Sequence, residues 1–353
     1  MSTSPVSTAN VSQEPAGDRK ASRGGPGLVR SVVGAKEFGG AVALVAMCVI
    51  FTILSDHFLT AATFSNIAVV TAQYGIIAVG VTILMIAGEF DLTTGALFAL
   101  APMCMAHMYI QQHWPLLLAF ITALVISALL GLINGLLTVV LRIPSFIVTL
   151  GMMFWWIGLL IGVTNGLPIA LSTPPPPLLN AMGGALGSGN TIYAPVIWYF
   201  VILVAGIYAL EFTTWGNKVF AAGSNATAAK AMGVPVGRIK IGCFVLSALL
   251  AGLSGCLIFG YQLSAQPTQG NDFELYAIVA AVVGGTSLFG GTGSVAGSLI
   301  GSLIIAISGS GLVLIGAPSA WYEAFVGLIL IIAVCVNLRV TGSKLRSLIG
   351  IQR

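Results

Sequence analysis

The chain reads Gly88-Glu89-Phe90-Asp91-Leu92-Thr93-Thr94-Gly95 at the join of two long apolar runs, near 64–87 and 92–110. Two carboxylates stand there among glycines and hydroxyls. Carboxylates buried at membrane depth are costly and face a cavity or a partner rather than lipid. A second stretch echoes the first: Gly270-Asn271-Asp272-Phe273-Glu274-Leu275 again sets a glycine and a carboxylate ahead of leucine and a small, apolar run. The first break follows the second apolar run and the other follows the seventh. An offset of five spans is what an inverted repeat of five plus five helices gives. The competing reading is two unrelated helix starts, since Asp and Glu favour the first turn of a helix.

Around these breaks the chain is mostly oil. Of its 353 residues, 57% are hydrophobic and 7% charged, against about 25% charged in a soluble domain. The composition predicts an all-α polytopic membrane protein. Apolar runs near 38–55, 64–87, 92–110, 115–140, 145–164, 194–212, 241–263, 274–290, 295–316 and 321–338 give about ten transmembrane helices, each near the length a bilayer needs. The 44 glycines suit helices packed closely in lipid. Five cysteines (Cys48, Cys104, Cys243, Cys256, Cys335) lie in or beside apolar runs without C-x-x-C spacing, so neither a disulfide framework nor a zinc site is indicated.

With the N-terminus inside, alternation places the loops near 142, 213–240 and 339–353 inside as well, and all 14 Lys and Arg residues then fall on the cytoplasmic side. That is a positive-inside pattern, which an odd number of spans would break. Residues 1–36 read as a disordered basic cytoplasmic tail, not a cleaved signal peptide. Residues 37–340 form the transmembrane domain and 341–353 a cytoplasmic tail. Trp114, Trp198, Tyr199, Trp321 and Tyr322 fall at outer ends, where aromatic rings favour the interface. The outer loop at about 165–193 contains Pro174-Pro175-Pro176-Pro177; a stiff spacer is preferred there over a docking surface.

In the loop 213–240 lies a polar island, Ser224-Asn225-Ala226-Thr227-Ala228-Ala229-Lys230-Ala231-Met232-Gly233-Val234-Pro235. Ser224 or Asn225 can cap a helix, the alanines favour one, Lys230 suits its negative end, and Gly233 with Pro235 stops it. A short helix outside the membrane is predicted, either a knob for a partner to push or an ordinary structured loop. The glycine-dense stretch Gly284-Gly285-Thr286-Ser287-Leu288-Phe289-Gly290-Gly291-Thr292-Gly293-Ser294 needs positive backbone angles or close approach. No lysine follows as a phosphate loop requires, so a tight cytoplasmic turn is expected. No nucleophile–base pair or metalloprotease motif is present. Phe154, Trp155 and Trp156 could stack a sugar ring, but packing is the commoner role for aromatics inside a span.

Several of these stretches together resemble one family over roughly residues 40–340: the permease subunit of ribose-type sugar ABC importers. The resemblance rests on Gly88 to Gly95, on Ile143-Pro144-Ser145-Phe146-Ile147-Val148-Thr149-Leu150-Gly151, on Gly223 to Gly233, on Gly284 to Ser294, and on Gly309-Ser310-Gly311-Leu312. Departures are Glu89 for a second glycine, Ser145 for a second proline, Ala222 in a Gly-Gly pair, and Ser308-Gly309-Ser310 without the usual asparagines. Glu89 and Ser310 leave the particular sugar open.

The resemblance implies a multi-pass protein of the bacterial inner membrane with both termini cytoplasmic. Its implied partners are a cytoplasmic ABC ATPase, a periplasmic or extracytoplasmic sugar-binding protein, a second permease copy or sister permease, and membrane lipid, with no nucleic acid. The chain itself is expected to be no enzyme and to bind no cofactor; ATP and Mg belong to the ATPase. Gly223, Ser224, Asn225, Ala228, Ala229, Lys230 and Gly233 then correspond to the coupling helix that docks in an ATPase groove. Candidate pathway residues are Gln73, Glu89, Asp91, Asn134, Thr149 and Glu274, polar groups able to replace water on sugar hydroxyls. For each, a helix cap or interhelical hydrogen bond is the competing role. The alternative function is an ion-coupled secondary transporter of a small polar solute, which also places carboxylates beside broken helices.

Overall fold

The computed structural model describes residues 38–186, 192–318 and 320–341. The basic segment 1–36 lies outside the described residues, as does the 341–353 tail beyond Thr341. The described chain is helical, in the order α1 (Phe38–Leu54), α2 (Ala61–Ile86), α3 (Thr94–Ala106), α4 (Leu116–Val140), α5 (Ser145–Thr164), β1 (Ile169–Ala170), α6 (Pro177–Gly183), β2 (Ala185–Leu186), β3 (Ile192–Tyr193), α7 (Ala194–Glu211), α8 (Thr214–Ser224), α9 (Ala226–Ala231), α10 (Val236–Gln262), β4 (Ser264–Ala265), α11 (Phe273–Val283), α12 (Val295–Leu314) and α13 (Ala320–Thr341).

Each expected apolar run carries a helix, but the lengths differ. Among the described residues, six helices, α2, α4, α5, α7, α10 and α12, are long and apolar enough to cross a membrane. The run 274–290 gives only α11, which stops at Val283 because Gly284 and Gly285 open a turn. The run 92–110 gives α3 followed by a π-helical turn, His107–Gln111. Both short helices begin at the acidic breaks. Asp272 leads into α11 from a left-handed backbone (φ 63°).

The centre of the bundle is α2 and α10, with 89% and 67% of their apolar windows buried, whereas α5 is 11% buried and lies at the edge. The helix α10 packs on α4, α3 and α2; α2 packs on α12, α7 and α11. Contact is close because glycines face backbone. A Cβ at Gly255 would lie 2.1 Å from the Phe98 carbonyl oxygen, and one at Gly301 would lie 1.9 Å from that of Ala280. Lipid offers no hydrophobic force between helices, so such approach supplies the dispersion contact that holds them.

The ends of the bundle are distinct. At one, β1 pairs antiparallel with β4, tying the exits of α5 and α10 together. The four-proline run is no spacer: Pro177 opens α6, which buries Leu179 and Met182 and sets Gly183 against Gly260 of α10. Of the aromatics expected at outer ends, Trp114, Trp198 and Trp321 are exposed, but Tyr199 is buried. Its ring lies on Gly75, and its hydroxyl meets Ser302 Oγ at 3.2 Å. A glycine seat on α2 draws the ring inward.

Candidate functional site

At the opposite end, three glycine turns meet. Gly223 ends α8 against the end of α2: a Cβ there would stand 1.8 Å from the Ile86 carbonyl oxygen. That same oxygen accepts the Gly291 N–H at 2.8 Å. Ser224 Oγ donates to the carbonyls of Phe220 (2.8 Å) and Gly291 (3.3 Å). A Cβ at Gly290 would lie 2.8 Å from the Gly88 Cα. Gly88, Gly290 and Gly291 all have φ between 74° and 82°, open to glycine at no steric cost. The glycine-dense stretch thus uses both positive angles and close approach.

From this seat projects the short helix α9. Asn225 caps it, its Oδ1 accepting the Ala228 N–H at 3.0 Å. The chain stops at Gly233, whose φ is 82°, and the Val234 N–H returns to the Ala229 carbonyl. Ala229 is buried against the body while Ala228, Lys230, Ala231 and Gly233 face outward, with Met232 74% exposed. Phe289, in the turn that touches Ser224, is 80% exposed. Large apolar side chains left bare beside a polar rim mark a contact surface.

The candidate pathway residues lie in several places. Asp91 is fully buried; its Oδ1 accepts the Thr93 N–H at 2.9 Å and the Thr93 hydroxyl at 2.5 Å. Thr93 Oγ1 in turn accepts from Asn134 Nδ2 at 2.9 Å, and Ser247 of α10 adjoins the carboxyl. This cluster joins the start of α3 to α4 and α10. Glu89 pairs with Lys240. Thr149 Oγ1 donates to the Ser145 carbonyl of its own helix at 2.8 Å. Gln73 is half-buried, and its carbonyl accepts from Ser254 Oγ at 2.8 Å. Glu274 sits in the first turn of α11, where its Oε2 and the Gly270 carbonyl lie against Gly95 of α3. The starts of the two short helices therefore abut. Phe154 and Trp155 are exposed and Trp156 half-buried on α5.

A cavity of about 520 Å³ opens between α2, α12 and α13, lined by Asn66, Tyr74, Ser310, Tyr322 and apolar neighbours. Asn66 Nδ2 donates to Ser310 Oγ at 3.3 Å. Tyr74 packs edge-on to Phe273 (4.9 Å between ring centres) and to Tyr276 (5.5 Å), and Tyr276 meets Tyr322 at 5.3 Å. Ligand pockets combine such an apolar, aromatic wall with a few placed polar groups. None of the six pathway candidates lines this cavity. In the sequence the cavity is traced by a stripe: Ala62, Asn66, Val70 and Tyr74 recur every four residues on one face of α2. Among the described residues, no cluster of His, Cys, Asp and Glu could hold a metal ion.

Comparison with known proteins returns a consistent set. Residues 63–334 match a family model described as the permease component of branched-chain amino acid transport systems. A fructose import permease of Rhizobium meliloti is 35% identical over 293 residues, 81% of this chain and 80% of its own length. A ribose import permease of Escherichia coli K12 is 34% identical over 299 residues, covering 84% and 92%. The xylose transport permease of the same strain is 31% identical, covering 84% and 90%. No solved structure matches.

Proposed function

The chain belongs to this family of ABC import permeases, non-catalytic multi-pass membrane components whose ATP hydrolysis lies on a separate subunit, and from that premise we propose that it is the translocating and coupling subunit of an ATP-driven sugar importer. The carrying observation is the α9 knob, capped by Asn225 and seated through Gly223 and Ser224 on the end of α2 and on the glycine turn before α12. On this reading the knob end is cytoplasmic and carries both termini. Ala228, Ala229, Lys230 and Gly233 shape a small, blunt helix for the groove of a cytoplasmic ATPase. An extracytoplasmic sugar-binding protein then delivers substrate at the β1–β4 end.

The ten-span, five-plus-five inverted repeat is part of the proposal. Its support is that one set of neighbours recurs in both halves. The contacts of α10 with α4 and α3 have counterparts in those of α2 with α12 and α11; α3 with α5 has its counterpart in α11 with α13. The sugar path in this half is assigned to the cavity of Asn66, Tyr74, Ser310 and Tyr322; Gln73 and Glu274 lie outside that cavity, next in sequence to Tyr74 and to its ring partner Phe273, and are proposed to meet the path only as the helices shift. Glu89 stands at the cytoplasmic mouth. Asp91 and Asn134, through Thr93, hold α3 to α4 in this conformation, while Thr149 bonds within α5; all three meet the path only as those helices shift. A second permease copy or sister permease is expected on α5, where Gly158 and Gly162 are exposed with nothing near their Cβ positions, a spacing that favours helix–helix contact.

The test is purification of the full chain from its native membrane in mild detergent. A stoichiometric ABC ATPase in the complex, with uptake of a sugar that requires ATP, is the expected result. A chain that purifies alone and drives uptake from an ion gradient without ATP would overturn the proposal in favour of the ion-coupled carrier.

A further inference from the structure

A second cavity, of about 320 Å³, lies at the knob end between the α4–α5 turn, α9 and the start of α10. Its wall carries Arg142, Lys230 and Lys240 against a single carboxylate, Glu89. Glu89 is taken by Lys240, the one ion pair among the described residues. Arg142 and Lys230 are left facing the space uncompensated. Thr138, 6% exposed, also lines it, and its hydroxyl has no hydrogen-bond partner. Two long helices start at the rim, α5 at Ser145 and α10 at Val236, and neither is capped by a side chain. Free N–H groups at a helix start attract anions.

Beside the cavity the surface turns apolar. Val140, Leu141, Phe146 and Ile147 are each 55–64% exposed. A ligand held there can keep its charge among the cations and lay hydrocarbon along the end of α4 and the beginning of α5.

We propose that this cavity binds a phosphate group, carried by an anionic phospholipid or by a soluble phosphate monoester, through Arg142, Lys230, the Thr138 hydroxyl and the two helix starts. Planar Arg gives directed bonds to phosphate oxygens, Lys a point charge, and basic pockets between membrane helices hold lipid phosphate in this way. The site is independent of the transport reading, because binding is measured on the chain alone.

The experiment is native mass spectrometry of the full chain in mild detergent, titrated with phosphatidylglycerol or phosphatidylcholine and challenged with millimolar inorganic phosphate. Phosphatidylglycerol should bind in preference to phosphatidylcholine. R142Q/K230Q should weaken it by about thirtyfold, the effect of two charges near the membrane surface. T138V, which keeps the side-chain shape, should weaken it several-fold by removing one donor. Lys218 and Arg238 are exposed and line neither side of the cavity, so K218Q/R238Q should bind as the unaltered chain does. Displacement by inorganic phosphate identifies a site open to soluble monoesters; resistance to it identifies the lipid headgroup. Equal binding of both lipids, an unweakened R142Q/K230Q, or an equal loss in K218Q/R238Q would overturn the site and leave only diffuse charge.

Discussion

Replacing Gly223 with alanine puts a methyl group where α8 has no room for one. The new Cβ would lie 1.8 Å from the Ile86 carbonyl oxygen and 2.8 Å from the Gly291 nitrogen. Those two atoms are themselves hydrogen-bonded at 2.8 Å. Either the bond opens, leaving a carbonyl unsatisfied at about 1–3 kcal/mol, or α8 shifts off α2 at a similar overpacking cost of about 1–3 kcal/mol. The two routes are alternatives and do not add. Alanine's better helix propensity offsets about 1 kcal/mol. A net of up to about 2 kcal/mol remains, which lowers the ratio of seated to unseated knob by up to about thirtyfold. The measurement pairs hydrogen exchange of residues 219–224 with ATP-driven uptake in proteoliposomes containing the partner ATPase. Exchange should rise locally and uptake should fall, while the chain still inserts. Gly242→Ala is the control, since nothing stands within 4 Å of its Cβ position. If Gly223→Ala exchanges and transports like Gly242→Ala, the knob is not seated on α2 as described.

Asp91→Ala should destabilise the chain by about 2–3 kcal/mol, because it strands the N–H and hydroxyl of Thr93 in a buried site; Asp91→Asn keeps the accepting oxygen and should unfold near the unaltered chain while uptake falls further than stability, with unchanged uptake leaving Asp91 a cap alone. Asn66→Ala and Tyr322→Phe should each raise the sugar concentration for half-maximal uptake by about three- to tenfold without a shift in melting temperature, and an unchanged value would remove the α2–α12–α13 cavity from the path. Gly158→Leu should leave a single chain folded, since its surroundings are open, yet reduce the share of two-permease complexes seen by cross-linking. Gly233→Val should retain membrane insertion but uncouple ATP hydrolysis from uptake, because a β-branched residue at φ 82° strains the stop of α9.

The parts of the fold legible in the sequence are those set by local chemistry. Asn225 ahead of an alanine run and Gly233 after it define α9 without any tertiary information, since capping and the left-handed stop act within a few residues. The acidic breaks likewise mark where α3 and α11 begin. The stop of α11 is only half legible: the glycine-dense stretch that opens at Gly284 predicts a turn, yet Gly284 and Gly285 also fit as small, membrane-compatible residues within the apolar run 274–290. The cavity was hidden for another reason. From Ile67 onward nearly every side of α2 is buried and apolar, so the stripe of Asn66 and Tyr74 does not rise above an apolar background. Charge marks Asp91 and Glu89 in the sequence, yet at membrane depth a carboxylate serves as readily to clamp helices. Tyr199 shows the same limit, its burial set by Gly75 on another helix.

On the proposed function, α2 is the element that joins knob to cavity. Its last carbonyls hold Gly291 and crowd Gly223, so a displacement of α9 meets backbone there, with no flexible side chain between to absorb it. Tyr74 of the cavity lies about 18 Å up the same helix at ~1.5 Å per residue. A helix over that distance transmits a shift nearly unchanged, and packed interfaces resist continuous deformation. The turn before α12 moves with the same seat, and α12 supplies Ser310, the partner of Asn66. A push at the knob therefore acts on both walls of the cavity at once, through two helices whose feet share one oxygen, Ile86 O. Opening the 3.3 Å contact between Asn66 and Ser310 is the change at the sugar site that this linkage requires. A disulfide across Asn66→Cys and Ser310→Cys should then block uptake reversibly under oxidation. Full transport with that bridge closed would separate the knob from the cavity.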